Sequence, residues 1–266
     1  MRFKKANLFT IFAGSIALIV SMLGTFLNNL YNDNEFVRAI WQGNDIVTGF
    51  IVVPLMFWSM KKVSEGGKSK RSFLIWLGCL WYLIYNYVFY VYGAAFSVFF
   101  LPYTAIIISS VLAMFFALTL IDVGNFLEKV KTEASIKSVR VFLYIFAILL
   151  GGAWIAMAST YFFTGEVPTA IVQTGHPTGV VFATDLIFLI SPLFILTLYL
   201  KSKKPWALIL TPVILIKCCL YPMVLIVAGI ITYMKIGVYD VLTPAYLILG
   251  AGAAMALRRM LKVIGV

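Results

Sequence analysis

The stretch PWALILTPVILIKCCLYPMVLIVAGIITY, residues 205–233, carries a single charge, Lys217. A bilayer's hydrocarbon core is about 30 Å thick, and a helix needs about 20 apolar residues to cross it. A run this long with one cation reads as a membrane-spanning helix. Working outward, similar apolar stretches lie at about 8–30, 44–60, 72–95, 97–120, 140–163 and 179–200 before it, and 241–257 after it. The clusters of charge fall between them.

Composition agrees. The chain of 266 residues is 62% hydrophobic, 16% aromatic and 12% charged, with mean hydropathy +1.01. Soluble domains average about 45–50% apolar and about 25% charged residues. A soluble globular protein and a disordered chain are both excluded on these values. Three cysteines are too few for a disulfide scaffold. The fold class expected is all-α: a polytopic transmembrane helical bundle of eight spans, forming a single membrane domain over residues 1–266.

Met1-Arg2-Phe3-Lys4-Lys5 resembles the basic start of a signal peptide. The apolar run that follows is too long for one, and no clean small-x-small site follows it. A retained first helix is expected.

The net charge of +11 would suggest nucleic acid in a soluble chain. Here it reports orientation. Lys and Arg concentrate in cytoplasmic loops. With both termini inside, 18 of the 21 basic residues fall on that side: Arg2, Lys4, Lys5, Lys61, Lys62, Lys68, Lys70, Arg71, Lys129, Lys131, Lys137, Arg140, Lys201, Lys203, Lys204, Arg258, Arg259 and Lys262. Gly66-Gly67 marks the loop Lys61–Arg71 as flexible. Only Arg38 and Lys235 stay outside, and Lys217 lies within a span. No nucleic-acid partner is expected.

The two halves, 1–133 and 134–266, can be laid over one another. Ile11-Phe12-Ala13 matches Ile145-Phe146-Ala147, Asp45 matches Asp185, and Pro54 matches Pro192. Lys61-Lys62 matches Lys203-Lys204, Pro102 matches Pro244, and Ala113-Met114 matches Ala254-Met255. All offsets fall between 134 and 142. A tandem repeat of two four-helix units would give both copies the same orientation, since four is even.

Charged side chains near the bilayer centre cost at least about 2.5–3.5 kcal/mol and usually face the bundle interior with a partner. Asp185 lies roughly 9–10 Å from the outer face, and Lys217 lies about 12 Å from it. An Asp185–Lys217 ion pair is expected, either fixing helix register or serving a ligand. Asp45 stands at the mouth of the second span. Asn86 is deep in the third, flanked by Tyr82, Tyr85, Tyr87, Tyr90 and Tyr92. Tyr90 and Tyr92 are placed for an interfacial aromatic belt. The candidate ligand-binding set is Asp45, Tyr85, Asn86, Asp185, Lys217 and Tyr221.

His176, between Gly175 and Pro177, reads as a turn residue. Cys79, Cys218 and Cys219 fall within spans and form no redox motif. No metal-ligand cluster or catalytic fingerprint occurs, so neither a catalytic residue nor a cofactor is expected.

The strings WYLIYNYVFYVYG (81–93) and TDLIFLISPLFILTLYLKSKKPW (184–206), with Lys217 beyond, resemble a family of uncharacterised bacterial multi-pass integral membrane proteins. The resemblance implies a bacterial plasma membrane and carries no activity. The function expected is a small-molecule or lipid transporter or binding protein with an outward-facing polar pocket. The alternatives are a non-catalytic assembly partner or sensor and, behind it, an intramembrane lipid-modifying enzyme. The partners expected are the lipid bilayer, a small-molecule or lipid ligand, and a second copy or another membrane protein.

Overall fold

The computed structural model describes residues 3–65, 69–128 and 133–265. Among the described residues eight long helices carry the fold: α1 Lys4–Phe26, α2 Glu35–Ser64, α3 Lys70–Gly93, α4 Phe100–Leu118, α5 Glu133–Thr164, α6 Val180–Lys201, α7 Pro205–Ile236 and α8 Thr243–Val263. Among the described residues there is no strand. Arg2, Gly66, Gly67, Lys68, Lys129 and Lys131, which entered the charge and loop readings, lie outside the described residues.

The first seven helices are long and apolar enough to cross a membrane. The eighth is 21 residues long but ends in Arg258, Arg259 and Lys262, which dilute its apolar run. Of the eight stretches expected to span, seven are thus matched by helices of sufficient length and hydropathy and the eighth by a helix of matching length alone.

Local signals explain the boundaries. The Asn34 side chain accepts the Val37 N–H at 2.9 Å, and Glu35 sits in the first turn, where the helix dipole favours an acid. The second helix thus begins well before the apolar run at 44, and Asp45 lies inside it rather than at its mouth. Pro205 opens α7, where a missing N–H costs nothing, and Gly237, at φ +70°, closes it.

Two helices share an unusual interruption. In α2 a π turn spans Thr48–Val52 and is followed by Pro54; in α6 a π turn spans Leu186–Ile190 and is followed by Pro192. In each, an N–H reaches back five residues, from Val53 to Thr48 and from Ser191 to Leu186. A π turn adjoining a proline is a recognised source of a bend in a helix.

The helices pack in two similar rings. In the first half α1 touches α2 and α4, and α3 touches α2 and α4; in the second α5 touches α6 and α8, and α7 touches α6 and α8. The halves meet where α2 packs on α7 and α3 packs on α7 and α6. At that seam Gly43 lets two helix backbones close up. A methyl group there would stand 2.6 Å from the Cα and backbone nitrogen of Ala228. Buried residues line α3 on every side, whereas α5 exposes Ile148, Leu149, Phe162 and Phe163. α3 is thus the centre of the bundle and α5 its margin.

The helix connections away from the chain termini are tied together at one end. The Asn32 amide donates to the Phe96 carbonyl (3.0 Å), the Ala95 N–H to Asp33 (2.9 Å), and the Asn34 amide to the Gln173 carbonyl (3.1 Å). This end is called distal below.

Candidate functional site

α3 presents polar groups to two different neighbours. Tyr85 and Tyr90 are five residues apart, which turns them about 140° from one another on a helix. Tyr85 points to Asp185 of α6, and Tyr90 to Asp45 of α2. The six candidate residues therefore fall around two separate carboxylates.

Around Asp185, 6% exposed, the Tyr85 hydroxyl donates to one carboxylate oxygen, and the Trp154 indole N–H of α5 donates to the other at 2.8 Å. Lys217 of α7 is 1% exposed. Its ammonium does not reach ion-pair distance of Asp185. Instead Nζ stands 3.4 Å from the centre of the Tyr85 ring and 4.3 Å from that of Tyr221. Those rings meet edge to face, 5.1 Å apart at 85°. The direct ion pair expected from matching depth is replaced by a sandwich, in which Tyr85 gives its hydroxyl to the acid and its face to the cation. Cation–π contacts of a desolvated ammonium are worth about 2 kcal/mol. Asn86 is buried beside Tyr85 in sequence, but its amide oxygen makes no hydrogen bond.

Asp45, 1% exposed, forms the other cluster. It accepts from the Tyr31 hydroxyl and from the Tyr90 hydroxyl at 3.3 Å; Tyr90 also bonds the Trp41 carbonyl at 3.1 Å. Tyr90 is thus interior rather than a belt residue, while Tyr92, 70% exposed, is free to serve in a belt. Tyr87 and Tyr103 pack against Tyr90 at 5.5 and 4.8 Å. Tyr31, in the α1–α2 connection, has its phenol pushed up by burial and by Asp45. Gly24 makes the arrangement fit, because a methyl group there would collide with the Asp45 carboxylate and the Tyr31 hydroxyl.

Each cluster adjoins a cavity at the distal end. A cavity of about 480 Å³ is bounded by Phe36 and Ile40 of α2, Trp154, Val180–Phe182, Leu225, Ala228, Gly229 and Thr232 of α7, and Asp240 and Tyr246 beyond. Trp154 separates this cavity from Asp185, stacked on Phe182 at 4.6 Å. A smaller one, about 310 Å³, is lined by Gly24, Tyr31, Glu35, Arg38, Gln42 and Lys235.

Trp154, Phe182, Asp240 and Tyr246 were not among the candidate site residues of the sequence. His176 is not a plain turn residue: it is 9% exposed, packs edge to face on Phe89 at 6.0 Å and borders the larger cavity. A buried histidine in a loop is a signal, but burial itself is not visible in one sequence. No group of three or more His, Cys, Asp or Glu suited to a metal occurs among the described residues. No family model matches the chain, and no curated protein or solved structure matches it either.

Proposed function

We propose that this multi-pass membrane protein is a carrier or binding protein that admits a small molecule from outside into the cavity above Trp154 and Asp185. The observation that carries the reading is Asp185 itself. A carboxylate inside a span is expensive to keep, and here one indole stands between it and a cavity large enough for a small organic molecule. Lys217 and Asp185, sharing Tyr85, supply opposite charges that a ligand or a proton can set against one another.

The distal end is the outer one in this reading, with eight spans, both termini cytoplasmic and a bacterial plasma membrane as the site. The distribution of Lys and Arg supports that orientation. The matching rings of helices, and the acid, π turn and proline that recur in α2 and α6, support a tandem duplication. Its pseudo-twofold axis would run along the membrane normal, between α3 and α7. Carriers are commonly built from such repeats, with the site near their interface.

The reading is tested in two steps. Thr174→Cys at the cavity should react with a membrane-impermeant maleimide on intact cells; reaction only in inverted vesicles overturns the orientation. A thermal-shift screen of purified protein against amines, carboxylates, sugars and neutral amphiphiles should return a ligand whose shift disappears in Asp185→Asn. A ligand bound equally by that variant removes Asp185 from the function.

A second reading, an assembly partner or sensor, is favoured by the exposed face of α5, which ends in Phe162 and Phe163. Co-purification of a fixed partner, lost on changing those two residues to Ser, would favour it.

A further inference from the structure

The two rings close differently. In the first, α1 is buried at intervals from Ala6 to Gly24 and α4 from Tyr103 to Ala117, so the pair is sealed along its length. In the second, the matching pair α5 and α8 meets away from the distal end. There a methyl group at Gly252 would stand 2.5 Å from the Phe142 ring, and the buried residues of α8 run from Ala253 to Val263. Over residues 243–252 α8 buries none. The offsets between the halves allow a comparison residue by residue, 134 for α1 with α5 and 142 for α4 with α8. Val20, Ser21 and Gly24 are buried, whereas Trp154 is half-buried and Ile155 and Ala158 are exposed. Ile106 is 0% exposed and Ile248 is 72% exposed.

The parting leads into the larger cavity, which Trp154 of α5 and Tyr246 of α8 both border. In the first ring the corresponding interior is filled by the protein itself, where the rings of Tyr87, Tyr90 and Tyr103 pack together. Residues 243–252 extend about 15 Å along a helix, and half of a bilayer's hydrocarbon core is also about 15 Å. The gap is therefore one leaflet deep. Every exposed residue within 152–158 and 243–252 is apolar or glycine. In a bilayer only hydrocarbon or another protein can lie against them. At the distal mouth the cavity wall turns polar, with Gln173, Thr178, Tyr239 and Asp240 offering donors and acceptors alike.

We infer that the ligand of this cavity is a lipid of the leaflet at the distal end, with one acyl chain standing between α5 and α8 and its polar head at the mouth. A chain that enters from the side never leaves hydrocarbon, whereas each methylene drawn through water would cost about 0.8 kcal/mol. A soluble ligand would have to compete with the chains that the open side admits. A partner's helix, about 10 Å across with its side chains, would cover the gap without entering the space behind it. The mouth carries both donors and acceptors, so the structure specifies the chain and not the head group. The inference rests on the cavity being a ligand site and adds the class of ligand and its route.

The full-length protein is reconstituted in nanodiscs of phosphatidylethanolamine and phosphatidylglycerol, with a small share of the phosphatidylglycerol carrying a diazirine in the middle of one chain. After illumination the labelled residues are located by mass spectrometry. Ile148 and Leu149 should be labelled because they face the bilayer, and Phe182 and Leu225 because the chain enters the cavity. Tyr103 and Ile106, buried in the sealed first ring, should stay unlabelled. Gly229→Leu puts its first added carbon at ordinary contact distance, 3.5 Å from the Asp240 Cβ, and the rest of the side chain in the cavity. The label on Phe182 and Leu225 should be lost, while that on Ile148 and Leu149 stays and reports an inserted fold. Thr232→Leu serves the same purpose should that variant not fold. Label confined to Ile148 and Leu149, while a water-soluble ligand binds the wild type and not Asp185→Asn, overturns the lipid assignment and leaves the cavity as a site. A co-purified membrane protein that covers Ile155 and Ile248 and excludes the label overturns it in favour of a partner. If neither a lipid nor a soluble ligand reaches the cavity, and nothing protects Thr174→Cys from maleimide, the cavity reading falls with it.

Discussion

Asp45 and Asp185 are built into the bundle by the same device and used differently. Both stand just ahead of a π turn and a proline, on helices that occupy matching places in the two rings. Relative to the π turn, however, Asp45 is three residues ahead and Asp185 only one. Two residues rotate a side chain by about 200° around a helix. Asp45 consequently turns to Tyr90 of its own half and to Tyr31. Asp185 turns across the seam to Tyr85, and to Trp154. The first is wrapped by tyrosines beside a small cavity that already contains Glu35, Arg38 and Lys235. The second has a buried lysine behind it and an apolar cavity in front. A two-residue shift within one motif is enough to separate a self-contained polar cluster from one that faces a ligand-sized space.

The largest effect should come from removing the cation behind Asp185. Lys217→Leu leaves a buried carboxylate with no positive charge near it, and breaking such an arrangement costs about 3–5 kcal/mol. Thermal melting in detergent should drop sharply. The double variant Asp185→Asn with Lys217→Gln should recover most of the stability while ligand binding stays lost. An unchanged melting temperature in Lys217→Leu would show that Tyr85 does not couple the two charges.

The Asp45 cluster should break through its backbone. Gly24→Ala drives a methyl group into the carboxylate and Tyr31, and overpacking of this kind costs about 1–3 kcal/mol. Gly152→Ala is the control, since nothing lies within 4 Å of the added carbon. Similar melting curves for the two variants would mean that Asp45 is not tightly enclosed.

The hydroxyls should then separate stability from function. Tyr90→Phe removes one of two donors to Asp45 and should cost about 1 kcal/mol, with ligand binding unchanged. Tyr85→Phe keeps the ring under Lys217 but removes the Asp185 donor. It should weaken binding about tenfold for a comparable loss of stability. Equal effects of the two on binding would erase the difference between the clusters.

The smallest effect concerns His176. Burial lowers its affinity for a proton below the ordinary value of 6.5, against a partial pull upward from Asp33 and from its bond to Gly93. The unfolded chain therefore takes up that proton first. The contribution to stability is intact above about pH 6.5 and declines as the pH falls below it. Melting at pH 5.5 against pH 7.5 should show a small drop that His176→Asn reduces. No such difference between wild type and variant would place the ring in water.

The spans were legible because lipid leaves so few alternatives: runs such as 205–233 can be satisfied only as helices. Asp185 and Lys217 stood out for their cost in that setting. Their connection did not, since counting residues gives height along the membrane normal but not direction around a helix, and Tyr85 fits between them. Asp45 was placed too near the surface because Arg38, Gln42 and Asn44 mask a helical turn that Asn34 initiates. Trp154 was invisible for another reason. Its indole is one of six, and only its neighbour Asp185 makes the N–H matter.

The two π turns also carry a chronology. A π turn holds one residue more than the α turn it replaces, and from each turn to its proline the spacing is the same in α2 and α6. If the halves descend from one four-helix ancestor, that extra residue was already present before the gene doubled, and so was the bend it makes. The acid is the part that has since changed position. The joint is then the older inheritance, and the turn of one acid toward Tyr85 and Trp154 a later use of it.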